Sequence, residues 1–377
     1  MKKFFLSVFA LSALFVTSCS DDDDNTNNDG DEVTIDPSDF QLTLNDGDEA
    51  ELDASKTYQL TGPVVVQSGA SLTIPAGTKI SASGGTSAYI AVAQGGKIFI
   101  EGEANNPVVM TSANETPAPG DWGGLVVCGK APTNKGGDGG QTATAEVSNL
   151  TYGGSEVSDN SGSIKYLRLE YTGAEFNGDK QFNGLSLFGV GNGTTVDYVQ
   201  SYMGKDDGVE FFGGTVEGNH LVSIGSGDDS IDFADGWNGS GNYWYIKGGT
   251  KAGIEGSNNG DNGAATPMTD ATISNVSIVG GGSEGGFFIK EGGGKWAISN
   301  VYINGYEKGI YIKPATDDPE ANSQVAAGEI TFTNIQFDEV DNVTDYAGDT
   351  SFITEGTSTG AGNGADMPSW AAGWTID

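Results

Sequence analysis

Apolar residues recur along this chain in short alternating runs, and the runs themselves repeat. Each unit is a glycine or serine, an apolar residue, any residue, then usually a second apolar one. It occurs as Gly184-Leu185-Ser186-Leu187, Gly208-Val209-Glu210-Phe211, Ser230-Ile231-Asp232-Phe233, Gly253-Ile254-Glu255, Gly286-Phe287-Phe288-Ile289 and Gly309-Ile310-Tyr311-Ile312. Successive steps are 24, 22, 23, 33 and 23 residues. A second series, Val199, Leu221, Trp244, Val276 and Val301, leads the first by about ten residues, in settings such as Ser274-Asn275-Val276 and Ser299-Asn300-Val301.

Two strands at a constant offset within a repeat of this length are what stacked coils require, because each coil must lay the same strand over its predecessor at about 4.8 Å. The pattern predicts an all-β fold, a single-stranded parallel β-helix, right-handed as crossovers between parallel strands nearly always are. The 33-residue step reads as one coil plus a loop at the polar segment 257–267. Leu185, Val209, Ile231, Ile254, Phe287 and Ile310 form the inward column, and the residues after them face outward. Earlier strands at 62–66, 70–78, 88–93, 96–100 and 107–112, punctuated by Gly, Pro and Asn, extend the solenoid toward the N-terminus. Residues 33–57 are expected to cap the first coil, since an open parallel edge invites aggregation. The stretch 354–366 is too rich in Gly, Ser and Thr to hold a core, and Trp370 and Trp374 are expected to tuck over the last coil.

The first residues follow a different logic. Lys2 and Lys3 precede an apolar run from Phe4 to Val16, and Thr17 and Ser18 lead into Cys19. About 13 apolar residues are too few to span a bilayer, so residues 1–18 read as a lipoprotein signal peptide and Cys19 as the lipidated residue. Residues 19–36 read as an acidic disordered tether, 37–353 as the β-helix with its cap, and 354–377 as a tail. The run Ser20 to Asp24 resembles the export signal of lipoproteins on the outer surface of glycan-degrading Gram-negative bacteria. It implies an outer-membrane, lipid-anchored, surface-exposed location; a solvated spacer facing the periplasm is the alternative. Once Cys19 is modified only Cys128 remains, so no intramolecular disulfide can form.

The strands from 62 to 112, with Gly120-Asp121-Trp122-Gly123-Gly124-Leu125-Val126, resemble the β-helix domain of a broad family of secreted bacterial lipoproteins. That likeness covers most of residues 58–345 and implies fold and location rather than an activity. Composition agrees with an exposed, turn-rich protein: 60 glycines, and a formal net charge of −35. Such a polyanion excludes nucleic-acid binding and favours hard cations.

Candidate chemistry sits on the outward positions of the repeat. Ser186, Glu210, Asp232, Glu255, Phe288 and Tyr311 fall in one column, and three stacked acids must be protonated, splayed or bridged by a cation. The pairs Asp206-Asp207 and Asp228-Asp229 share one phase, and Asp206 and Asp228 the outward parity, so Asp206, Glu210, Asp228, Asp232 and Glu255 are candidate Ca²⁺ ligands, with Asp235 close by. A solvated acidic ladder is the equal alternative. Lys205-Asp206-Asp207-Gly208 and Gly227-Asp228-Asp229-Ser230 resemble the aspartate motifs of β-helical polygalacturonases, which implies acid and base roles for Asp207, Asp228 and Asp229. The Gly-His-Gly and Arg-x-Lys of that family are missing. For a lyase, Lys205 is the nearest candidate base, with Lys290 and Lys313 farther off; His220 and the sole arginine, Arg168, read as structural. No Ser-His-Asp or zinc set is present. Tyr202, Trp237, Tyr243, Phe288, Tyr306 and Tyr311 are candidates for a strip on which sugars stack. Three functions follow: capture of an extracellular glycan, calcium-dependent glycan cleavage, or an adhesive or spacer role.

Overall fold

A computed structural model describes residues 33–136, 141–178 and 180–377. Cys19, the residue expected to be lipidated, and the acidic run after it lie outside the described residues. From Val33 on, the chain winds into a solenoid whose strands all pair in parallel in one 24-stranded sheet. The coil has three faces. The first carries Glu49–Glu51, Ser71–Pro75, Lys97–Glu101 and the start of Gly162–Glu170. The second carries the start of Thr57–Val66, then Lys79–Ala82, Val108–Ser112 and the end of Gly162–Glu170. The third carries Ile90–Val92, Leu125–Cys128, Leu185–Phe188, Val209–Phe212, Ile231–Ala234, Ala252–Ser257, Gly285–Lys290 and Lys308–Ile312.

The repeat read from the sequence is the third face, in register. Leu185, Val209, Ile231, Ile254, Phe287 and Ile310 pair in succession and are fully buried. Val199, Leu221, Trp244, Val276 and Val301 form an equally continuous inward column on the second face. Large rings fill the space between, with Phe211 stacked on Trp237 at 4.6 Å and Phe233 against Trp296 at 4.7 Å.

From Gly162–Glu170 onward the first two faces belong to single long strands that turn a corner in mid-strand. One residue in each adopts a left-handed conformation there: Tyr166, Tyr198, His220, Tyr243, Asn275, Asn300 and Asn334, with φ between 47° and 60°. Such a residue costs roughly 1 kcal/mol or more unless its side chain is compensated. Here the side chains stack. Tyr166, Tyr198, His220 and Tyr243 lie nearly parallel at 4.3, 4.2 and 5.1 Å, and Asn275, Asn300 and Asn334 each donate Nδ2 to the Oδ1 of the rung before, starting from Asn242. His220 is therefore a corner residue, its Nδ1 2.8 Å from Asp197 Oδ1.

Two expectations about the ends change. Residues 33–57 do not form a separate cap: Phe40–Leu44 and Glu49–Glu51 pair in parallel with the next coil and are the first coil itself. The tail does not close the last coil. It runs back along the second face, burying Ala361, Ala371 and Trp374, and sets Trp374 edge-on to Tyr166 and Tyr198 and Trp370 edge-on to His220. The segment bears a core after all because its small residues fit close against the strands, Ala361 N donating to Ser277 Oγ at 2.9 Å. Cys128 is free and buried, and burial pushes its thiol up.

Candidate active site

Along the third face the outward column is Ser186, Glu210, Asp232, Glu255, Phe288 and Tyr311, each in register with the next. These side chains point out of the coil, yet Glu210 and Asp232 are only 8% exposed and Glu255 4%. They are not the solvated positions that alternation alone predicts. Two long insertions and a hairpin cover them. The first insertion, between Cys128 and Gly162, holds the antiparallel pair Ala143–Thr144 and Thr151–Tyr152. The hairpin is Glu175–Asn177 with Lys180–Gln181. The second insertion follows Ala252–Ser257, where the long step of the repeat places it. The two insertions clasp each other: Asn134 Nδ2 donates to Asn258 Oδ1 at 3.0 Å, Asn259 Nδ2 to Asn134 Oδ1 at 2.9 Å, and Lys135 Nζ lies 3.0 Å from Asp261 Oδ2.

Beneath them is a cavity of about 330 Å³. Glu210 and Asp232 form its floor, Phe188 and Phe212, stacked at 4.0 Å, one apolar side, and Tyr152, Asp235, Lys135, Lys180 and Lys290 the walls. Such a space admits a sugar ring. Asn183 Nδ2 donates to Glu210 Oε2 at 2.5 Å. Tyr152 donates its hydroxyl to Asp235 Oδ2 at 3.1 Å. Lys290 Nζ reaches back to Glu255 Oε1 at 2.5 Å, so it belongs to the acidic column despite starting two coils away from its centre. Lys205 is exposed at the corner, packed by Gly120 and Gly173, and does not line the cavity.

The electrostatics of this column are unbalanced. Asp207, Glu210 and Asp232 are held well above the carboxylate range, first by burial and then by neighbouring carboxylates. The same causes raise Asp229 to about 10 and Asp206 to about 7; burial raises Asp235 to about 6 against the pull of Lys135. Each of these groups resists ionising while its neighbours are ionised.

The acids sort into groups other than the single cluster expected from Asp206, Glu210, Asp228 and Asp232. Oxygens of Asp206, Asp207 and Asp228 lie within 4.8 Å of one another, as do those of Asp207, Glu210 and Asp232, and those of Asp229, Glu255 and Glu284. Asp207 joins the first two. Two of the aspartates in the polygalacturonase-like motifs hold the backbone together. Asp207 Oδ1 accepts from Asp229 N at 2.9 Å, and Asp229 Oδ1 from Ala252 N at 2.6 Å, a ladder that pins each corner to the next. Asp228 pairs with Lys251, 2.6 Å from Nζ to Oδ1. Asp232 Oδ1 is buried without a hydrogen-bond partner among the described residues.

The aromatic candidates do not form one strip. Trp237 and Tyr306 are core residues, 0% and 2% exposed. Tyr202 lies on the second face against Tyr171, and Tyr243 sits in the corner stack near Trp370. Phe288 and Tyr311, stacked at 4.7 Å, do lie on the third face, in a second cavity of about 380 Å³ that shares Lys290 and Glu255's side of the column. Tyr152, Lys135, Lys180, Glu146 and Asn183 leave no such mark in the sequence. Their only signal is the overlong interval between Leu125 and Leu185, which marks an insertion but not what it covers.

No curated protein and no solved structure matches the chain. One family model does, described as a pectate-lyase-like β-helix domain, over residues 43–375. That span takes in every strand of the third face, the acidic column and both insertions, and the chain belongs to the pectate-lyase-like β-helix domain family.

Proposed function

We propose that the domain captures an extracellular glycan, and that the cavity over Glu210 and Asp232 holds one of its sugars. The observation that carries this reading is the clasp of the two insertions over the acidic column. Nothing in solenoid stability calls for covering stacked carboxylates, whereas a sugar site needs an apolar face for the ring and convergent polar groups for its hydroxyls. Phe188 and Phe212 offer the first; Glu210, Asp232, Asp235 and Lys290 offer the second.

A calcium ion fits the same residues. Asp207, Glu210 and Asp232 supply hard oxygens within 4.8 Å of one another, and Asp232 Oδ1 has no other partner among the described residues. Bound there, calcium would neutralise the column and offer coordination positions to sugar hydroxyls. Calorimetric titration with neutral and acidic oligosaccharides, with calcium and with a chelator, tests this reading. Binding lost in Glu210→Gln with Asp232→Asn supports the site; undiminished binding removes it.

A second reading has its own observation: Glu210 and Asp232 are adjacent carboxyl groups held up together, the arrangement from which an acid and a base for glycosidic cleavage are made. Product analysis in the same titration separates the two, since cleavage abolished by either substitution makes the domain an enzyme. Display on the cell surface through a lipidated Cys19 is the setting we propose for either, tested by mass analysis of the processed N-terminus and by protease treatment of intact cells.

A further inference from the structure

We propose that the second face carries a separate binding site for an oxyanion, a carboxylate or sulfate group, centred on Arg168 and Lys79. The outward positions of this face form one register column running from Lys79 through Val109, Arg168 and Gln200 to Gln336. From Gln336 to Gln200 the chain's own tail lies on it. Ser358 N donates to Gln336 Oε1 at 2.9 Å, the Tyr245 hydroxyl donates to the Ala365 carbonyl at 2.9 Å, and Gln200 both receives Ile376 N at 2.9 Å and donates to its carbonyl at 2.6 Å. The column therefore already accepts a chain segment, one folded through turns and the 3-10 helix Ser369–Ala371. Past Gln200 it is left open, and a cavity of about 520 Å³ lies over Arg168.

The chemistry of that cavity differs from the rest of the molecule. Arg168 is the chain's one arginine. Glu170 holds its guanidinium by Nε at 2.5 Å, and Thr111 Oγ1 donates to the other oxygen of Glu170 at 2.6 Å. Both oxygens of Glu170 are thus engaged, while the Nη atoms of Arg168 make no hydrogen bond among the described residues. A planar fork fixed at one edge and free at the other is suited to a carboxylate or sulfate. Lys79 stands two coils along the same column and pairs with no carboxylate among the described residues. Formal charges of the lining cancel, Lys79 and Arg168 against Glu115 and Glu170, whereas the three other described cavities carry an excess of one or two carboxylates. In a chain of net charge −35, this is the one of these four cavities whose lining adds no net negative formal charge against an anion.

Because Arg168 is unique, arginine-selective ¹⁵N labelling of the full chain gives a single Nε–H resonance to follow. Sodium sulfate and sodium acetate would be titrated separately, with sodium chloride at matched ionic strength as reference. The expected result is a saturable shift with sulfate or acetate beyond that of chloride, weakened about fivefold in Lys79→Ala, a loss of one exposed charge contact. Saturation with acetate assigns a carboxylate ligand, and with sulfate alone a sulfated one. A shift no larger than chloride's with both salts, or undiminished binding in Lys79→Ala, overturns the proposal.

Discussion

Two of the outward columns that climb this solenoid solve the same problem in opposite ways. A repeat sets like upon like at one strand spacing, so a side chain stacked in a column must complement itself. The corner column does: aromatic rings lie face to face from Tyr166 to Tyr243, and amides from Asn242 to Asn334 alternate donor and acceptor. An ionised carboxylate cannot, having acceptors only. The column Glu210, Asp232, Glu255 must therefore either keep protons or take a third party, and among the described residues only Lys290 provides an opposite charge within the column. Where a column complements itself the repeat serves stability. Where it does not, the residues are held for something from outside.

The largest effect should separate inward from outward neighbours on a single strand. Val209→Asp places an unpaired charge in the closed interior and should cost on the order of 4 kcal/mol or more, whereas Glu210→Gln, one residue on, should leave stability unchanged or raised. Urea unfolding of both variants tests it; comparable losses would mean that Glu210 is as structural as Val209. The tail comes next. Trp374 is fully buried against the corner stack, and Trp374→Ala should cost about 3 kcal/mol. A change within a few tenths would show that the tail rests on the stack without stabilising it.

Much of this contrast is legible in the sequence. Inward and outward columns of the third face follow from a period of about 23 residues and an alternation of two, both local properties of the chain. The corner is not legible, because Asn275 and Asn300 are embedded in strand-like phrases and a left-handed residue leaves no mark on hydrophobic spacing. Nor is the burial of Glu210 and Asp232, since it is produced by insertions that carry no repeat. Trp237 is misplaced for a related reason: it follows Asp235 at a turn, where alternation no longer says which way a ring points.

Acidity should sharpen the comparison further. Carboxyl groups whose folded pKa values exceed the unfolded ones keep more protons in the native state, so their contribution is complete below about pH 4 and is lost as pH rises through the folded values. With Asp235 raised to about 6, Asp206 to about 7 and Asp229 to about 10, the melting temperature in chelator should fall between pH 5 and pH 8, by on the order of 5 °C. Glu210→Gln with Asp232→Asn should flatten that slope. Calcium should reverse it at pH 8 in the parent, saturably, and not in the double variant. A flat profile in chelator would mean that the column is solvated and ionised, and a rising one that its carboxylates are stabilised as anions by the fold.

The smallest expected effect tests the self-complementary column on its own terms. Asn300 Nδ2 donates to Asn275 Oδ1, while its own Oδ1 accepts from Asn334 Nδ2 and from Ser358 Oγ. Asn300→Asp keeps the shape and both acceptor contacts but exchanges the single donor for a negative charge beside Asn275 Oδ1. That substitution should cost about 1–2 kcal/mol, one lost hydrogen bond with the acceptor left facing an acceptor. Asn300→Gly removes the ladder as well as the left-handed strain, and the second effect should partly offset the first. Lowering the pH to 4 should restore part of the loss in Asn300→Asp, because the protonated acid regains a donor, while Asn300→Gly should not respond. If the aspartate variant is as stable as the parent at neutral pH, carboxylates are tolerated in a stacked column without a partner, and the case for an external ligand at Glu210 and Asp232 loses its physical ground.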